Sequence, residues 1–175
     1  MGTSIDCIIP KEKEYSLEEI KQKLNDVFKS LKAEFLHLEQ FGYYTKNESR
    51  SWFVILVPAQ LNEPEYITGE SDSFRIDIYK NVVIIGCMER FSGFYDVQRN
   101  VSEQLFKIIT EITKIFNDSN KILIGAGGMG ITDHVIDMAY YENADFDQIC
   151  NKMAELNGSP ARSLEELRDK SWYLL

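Results

Sequence analysis

Phe74-Arg75-Ile76-Asp77-Ile78-Tyr79-Lys80-Asn81-Val82-Val83-Ile84-Ile85-Gly86-Cys87-Met88 is the stretch that decides the fold. Phe74, Ile76 and Ile78 alternate with Arg75, Asp77 and Tyr79, the period-2 pattern of a half-exposed strand. Lys80-Asn81 separates it from the apolar run Val82 to Met88, so the chain doubles back as a β-hairpin, with Asn81 suited to a positive φ. An antiparallel pair at mid-chain therefore sets the frame for what flanks it.

Toward the N-terminus, Trp52 to Val57 is a continuous aromatic and β-branched run between Ser51 and Pro58, which reads as a buried strand. Ser4 to Ile9 is another strand, closed by Pro10, which cannot continue a central ladder. Between them, Ser16-Leu17-Glu18-Glu19 is a capping box. Leu17, Ile20, Leu24, Val27, Leu31, Phe35 and Leu38 follow it at helical spacing and predict a helix at least to Leu31. Phe35 to Phe41 fits either its continuation or the start of a strand. Toward the C-terminus, Val97, Val101, Leu105, Ile108, Ile112 and Ile115 form one helical stripe. Lys121 to Ile124 is a short strand leading into Gly125 to Gly130. Ile131, Val135 and Met138 share a helix face. Phe146, Ile149, Met153 and Leu156 share another, capped by Asp145 and Gln148 and ended by Gly158 and Pro160. Ser163-Leu164-Glu165-Glu166 is a second capping box opening a short last helix.

Strands and helices do not alternate regularly. The order predicts one α+β domain over residues 1–175: a mixed, mainly antiparallel sheet with helices packed on one face. The strand at Lys121 to Ile124 is expected to run parallel to the hairpin's second strand through a right-handed crossover.

The 175 residues are 44% hydrophobic and 27% charged, enough to bury a core without disulfides or metal. Nineteen Lys and Arg against 28 Asp and Glu give a net charge of -9, which argues against nucleic acid as a partner, since phosphates require a basic patch. The longest apolar runs fall far short of the roughly 20 residues a membrane helix needs, so no membrane association is expected. Cys7, Cys87 and Cys150 each sit in an apolar segment and read as reduced, partly or fully buried small hydrophobes, pointing to the cytoplasm. Met1-Gly2-Thr3-Ser4-Ile5-Asp6 is no signal peptide, and Asp6 stands where a myristoylation signal wants Ser or Thr.

Gly125-Ala126-Gly127-Gly128-Met129-Gly130 fits G-x-G-x-x-G between a strand and a helix. In a dinucleotide-binding unit such glycines let backbone N–H groups approach a pyrophosphate, so Gly125, Gly127 and Gly130 define a nucleotide or small-molecule site, possible in an enzyme, as the alternative reading. Three observations oppose it. No second parallel strand with a ribose-binding acid follows. No Lys or Arg occurs from Ile122 to Asn151, where Asp133, Asp137, Glu142, Asp145 and Asp147 do. Gly128 is not followed by Lys-Ser or Lys-Thr, so there is no Walker A loop. The simpler reading is that the glycines permit a tight turn or a close backbone approach.

Asp133 and Asp137 are four apart, with Tyr140 one turn further on. The pair has the oxygen chemistry for Mg²⁺ or Ca²⁺ but reads more simply as the wet face opposite Val135. His37 and His134 are the only histidines. Neither lies at zinc-ligand spacing from a cysteine, and a Cys–His nucleophile pair would need an exposed thiol. No catalytic motif is present, so no catalytic residue, cofactor or metal is assigned. Phe91, Phe94 and Tyr95 flank Ser92-Gly93 and read as packing at the edge of the core, with an exposed anchor for a partner as the alternative.

Acids without bases fill two segments. Glu63, Glu65, Glu70 and Asp72 lie with Tyr66 in one, and Asp133 and Asp137 lie with Tyr140 and Tyr141 in the other. Placed on one side of the fold, these nine residues form an acidic, tyrosine-bearing surface that steers and anchors a protein partner with a basic surface.

The hairpin Phe74 to Met88, the helix through Ile115, the strand Ile122 to Ile124, and Ala144-Asp145-Phe146-Asp147-Gln148-Ile149 with Gly158-Ser159-Pro160 give the latter half a layout and charge that resemble small acidic immunity proteins of bacterial toxin systems. That resemblance implies a non-enzymatic inhibitor whose acids and tyrosines face a cognate toxin. It transfers no individual residue.

Overall fold

The Ser16 hydroxyl and backbone N–H both donate to Glu19 Oε2, and the Glu19 N–H donates back to the hydroxyl at 3.3 Å. This box starts the first helix, and the bonds from Ser16 hold the Glu19 carboxyl below its usual range. The computed structural model describes residues 4–31, 44–47, 52–58, 73–86, 101–127 and 132–175. The strands are β1 (Ser4–Pro10), β2 (Tyr44–Asn47), β3 (Trp52–Pro58), β4 (Ser73–Ile78), β5 (Val82–Gly86), β6 (Leu123–Gly127) and β7 (Trp172–Leu174). The helices are α1 (Leu17–Leu31), α2 (Val101–Phe116), α3 (Asp133–Asp137), α4 (Phe146–Asn157) and α5 (Leu167–Lys170), and α3 runs on into a π-helical turn, Met138–Glu142.

The seven strands form one sheet in the order β2-β3-β4-β5-β1-β6-β7, and every strand pair is antiparallel. The single parallel contact among the described residues is an isolated bridge between Ala161 and Tyr173. The chain is therefore an α+β protein. The read hairpin is present, with Ile78 opposite Val83 and the Tyr79 N–H donating to the Val82 carbonyl. Asn81 does not take a positive φ. Its side-chain amide instead donates to the Asn143 carbonyl at 2.6 Å, and its own carbonyl accepts from the Lys11 N–H.

β5 and β6 run in the same direction, as expected, but they are not neighbours. β1 lies between them, antiparallel to both, with Cys7 opposite Ile85 on one side and Ile124 on the other. Pro10 closes β1 at the end of the ladder, where its carbonyl accepts from the buried Asn117 side chain at the end of α2.

Alternation along the central strands separates two cores. Ile5, Cys7, Ile9, Val83, Ile85, Ile122 and Ile124 pack with Ile20, Leu24 and Phe28 of α1 and Leu105, Ile109 and Ile112 of α2. Ile8, Val82, Ile84 and Leu123 point the other way and pack with Val135, Ala139, Phe146, Ile149, Met153 and Trp172. Helices thus cover both faces, which corrects the expectation of a single covered face. Tyr79 packs in this second layer and Asp77 is also buried, whereas the alternating pattern assigns both to a half-exposed strand face.

Asp145 and Gln148 form the complete capping box at the start of α4, and Gly158 ends that helix with φ +73°. The second box is only half made: the Ser163 hydroxyl accepts from the Glu166 N–H, while the Glu166 carboxylate accepts from the Arg162 N–H. Helix α5 starts at Leu167, three residues beyond the Leu164 start that a complete box would set.

Leu24 and Met153 are fully buried in opposite cores. Leu24→Ala and Met153→Ala should each lower unfolding free energy by about 2–5 kcal/mol, read by urea denaturation. A near-neutral Met153→Ala would mean that the α4 layer contributes no real core.

Candidate functional site

Asp6 lies on β1 between two paired strands and is only 3% exposed. Its Oδ2 accepts a 2.8 Å hydrogen bond from the Thr132 hydroxyl. Thr132 precedes α3 but makes no side-chain cap, because its hydroxyl is committed to Asp6. Its backbone N–H donates to the Ala126 carbonyl. A buried carboxylate requires such donors, so this contact fixes where α3 leaves the sheet.

That geometry accounts for two of the three alternative-site glycines. Gly125 and Gly127 lie within β6, opposite Asp6 and Ser4. A Cβ at Gly127 would fall inside the Asp6 carboxylate, and one at Gly125 would stand 2.9 Å from Thr132 Cγ2. The space a phosphate would need beside Gly127 already holds a negative group. The close-approach reading of these glycines is the one the geometry matches. Gly130 lies outside the described residues.

From Thr132 the chain enters α3 and then the π-helical turn. In that turn the Asn143 N–H reaches back five residues to the Met138 carbonyl, and Asn143 ends it in the left-handed region at φ 53°. A turn of this kind is wider than an α turn and often marks a functional site. It changes which tyrosine faces outward. Tyr140 is half-buried and meets Tyr79 edge-to-face at 6.2 Å, while Tyr141 is 58% exposed and stands edge-to-face on Tyr140 at 4.8 Å. The Asn81 amide bond to the Asn143 carbonyl ties the same turn to the β4–β5 hairpin. Tyr141 is therefore an exposed ring on a braced support.

Between this turn and α4 runs a groove of about 580 Å³ lined by His134, Asp137, Met138, Tyr141, Glu142, Lys152 and Leu156. Asp133 and Asp137 are both exposed, as their wet-face spacing predicted, but only Asp137 borders the groove. Leu156, expected on the buried stripe of α4, is 45% exposed at the groove edge, because Phe146, Ile149 and Met153 alone face the sheet. Lys152, the first base after the acidic run, also lines it, and its Nζ is paired with Glu155 at 3.0 Å. Sequence reasoning missed Met138, Glu142, Lys152 and Leu156 as neighbours of Asp137. Nothing in the spacing signals a π turn, and that turn gathers them. A smaller cleft of about 290 Å³ beside Asn81 and Lys121 has its charges matched locally, Lys11 with Glu14 and Lys121 with Asp147.

Glu63, Glu65, Tyr66, Glu70 and Asp72 lie outside the described residues, as do Cys87, His37, Phe91, Phe94 and Tyr95. The strand ends flanking residues 59–72, Pro58 and Ser73, stand opposite one another at the end of β4 away from the Lys80-Asn81 turn. Of the nine proposed surface residues, the four that are described, Asp133, Asp137, Tyr140 and Tyr141, lie on α3 and the π turn. Among the described residues no group of three or more His, Cys, Asp or Glu is placed to hold a metal ion, and no helix is long and apolar enough to cross a membrane. No protein-family model matches the chain, and no curated protein matches it.

Burial, then the Asp6 charge, pushes the Cys7 thiol well up. Burial, then Asp147, pushes Cys150 up to about 11. Both are poor nucleophiles near neutrality.

Two outcomes test this geometry. Gly127→Ala should destabilise the native protein strongly, and the loss should shrink in an Asp6→Ala background, where the Cβ finds room; equal losses in both backgrounds would exclude the clash. In mass-spectrometric alkylation of the native protein at pH 8, Cys7 and Cys150 should react far more slowly than in urea, with Cys150 speeding up as pH approaches 11.

Proposed function

We propose that this chain is a cytoplasmic, non-enzymatic protein-binding module of the inhibitor or immunity type, and that the face formed by α3, the π turn and α4 docks a partner with a basic surface. The observation that carries this reading is the braced, 58% exposed Tyr141 beside the exposed carboxylates of Asp137 and Glu142 at the groove. Tyrosine is a frequent hot-spot residue at interfaces, and a ring already held in place loses little conformational freedom on binding. Exposed Leu156 adds apolar area at the same edge. The net charge of -9 favours rapid encounter with a cationic surface. The resemblance in layout and charge to bacterial immunity proteins supports the same reading.

Co-expression with the product of an adjacent toxin-like reading frame tests it. Protection from growth arrest and a purified complex are expected. Kd should rise with ionic strength, mainly through slower association, and Asp133→Asn with Asp137→Asn should weaken binding further. Absence of a complex, or an affinity indifferent to both salt and neutralisation, overturns the proposal.

A further inference from the structure

The groove holds two different recognition chemistries on one short segment. Asp137 is the last residue of α3, and Tyr141 and Glu142 are the last two of the π turn. A turn closed by bonds reaching five residues back sets positions four and five apart above one another, so both Tyr141 and Glu142 stack over Asp137. All three line the groove, as does Met138. Its basic side chains are Lys152, already paired with Glu155, and His134.

A lone ammonium ion would be served by carboxylates in water. An exposed ring that shares a groove with two exposed carboxylates suits a planar, weakly hydrated cation that can lie on the ring and direct N–H groups toward the acids. The aliphatic stem of such a side chain would cover Met138 and Leu156. We infer that the groove is an arginine-reading subsite: the guanidinium of a partner arginine stacks on Tyr141 and donates to Asp137 and Glu142. This rests on the reading of the face as a docking surface and names the partner residue that anchors there.

The probe is L-arginine amide, titrated against L-lysine amide at constant ionic strength, with backbone amide shifts read by NMR. Arginine amide should produce saturable shifts clustered at residues 134–142, with an apparent affinity about threefold or more above lysine amide. Tyr141→Phe should keep that preference. Tyr141→Leu, which retains apolar bulk but no ring, should abolish it, and Asp137→Asn or Glu142→Gln should weaken arginine binding. Because Tyr141 and both acids are exposed, these variants should fold, which melting temperature checks. Equal responses to the two amides, a preference that survives Tyr141→Leu, or the absence of saturable shifts at 134–142 would each overturn the arginine assignment. The docking reading is tested separately, by the complex and its salt dependence.

Discussion

The bond from Thr132 to the buried Asp6 carboxylate governs how the second layer of this protein is attached. Helix α3 is five residues long and cannot hold itself together through its own backbone bonds. Its position is set by Val135 in the core shared with Ile8 and Leu123, by the Thr132 N–H on Ala126, and by the bond to Asp6. The absence of side chains at Gly125 and Gly127 is what lets Asp6 and Thr132 approach the β6 backbone. The π turn, Tyr141 and the groove all follow from that start.

Braces from the hairpin complete the arrangement. Tyr79 and Asn81 come from opposite sides of the β4–β5 turn, and both reach the segment that carries Tyr140, Tyr141 and Asn143. A local turn thus does two jobs, reversing the chain and supporting an exposed aromatic residue elsewhere in the sequence. Asn81 does not adopt the left-handed conformation that its type allows, and its amide serves a distant carbonyl. Such cross-linking gives Tyr141 a defined pose, although more than half of its surface faces water.

Much of the architecture was legible from short-range signals. Capping boxes marked α1 and α4 because their side-chain-to-backbone bonds are local, and alternation with a polar two-residue turn marked the β4–β5 hairpin. The covering of the second sheet face was not legible. Asp77 and Tyr79 look like solvent-facing residues in a period-2 pattern, yet both are buried, and Tyr79 is covered by residues some sixty positions later in the chain. Strand β7 escaped because three residues are too few to show a period. Within the candidate site, Asp137 and Tyr141 were identified from residue type, but their groove neighbours depended on a π turn that leaves no mark in spacing. The glycines of residues 125–127 gave the motif of a phosphate loop, while their use is steric accommodation inside a strand.

The position of β1 has a further consequence. Among the described residues it is the sole seam between two half-sheets, β2 to β5 on one side and β6 with β7 on the other. Although it precedes all the other described strands in the chain, it must wait for residues near 82 to satisfy one edge and for residues near 123 to satisfy the other. Sheet closure is consequently a long-range event, and β1 must keep one edge unpaired after β5 has docked until the residues near 123 are available.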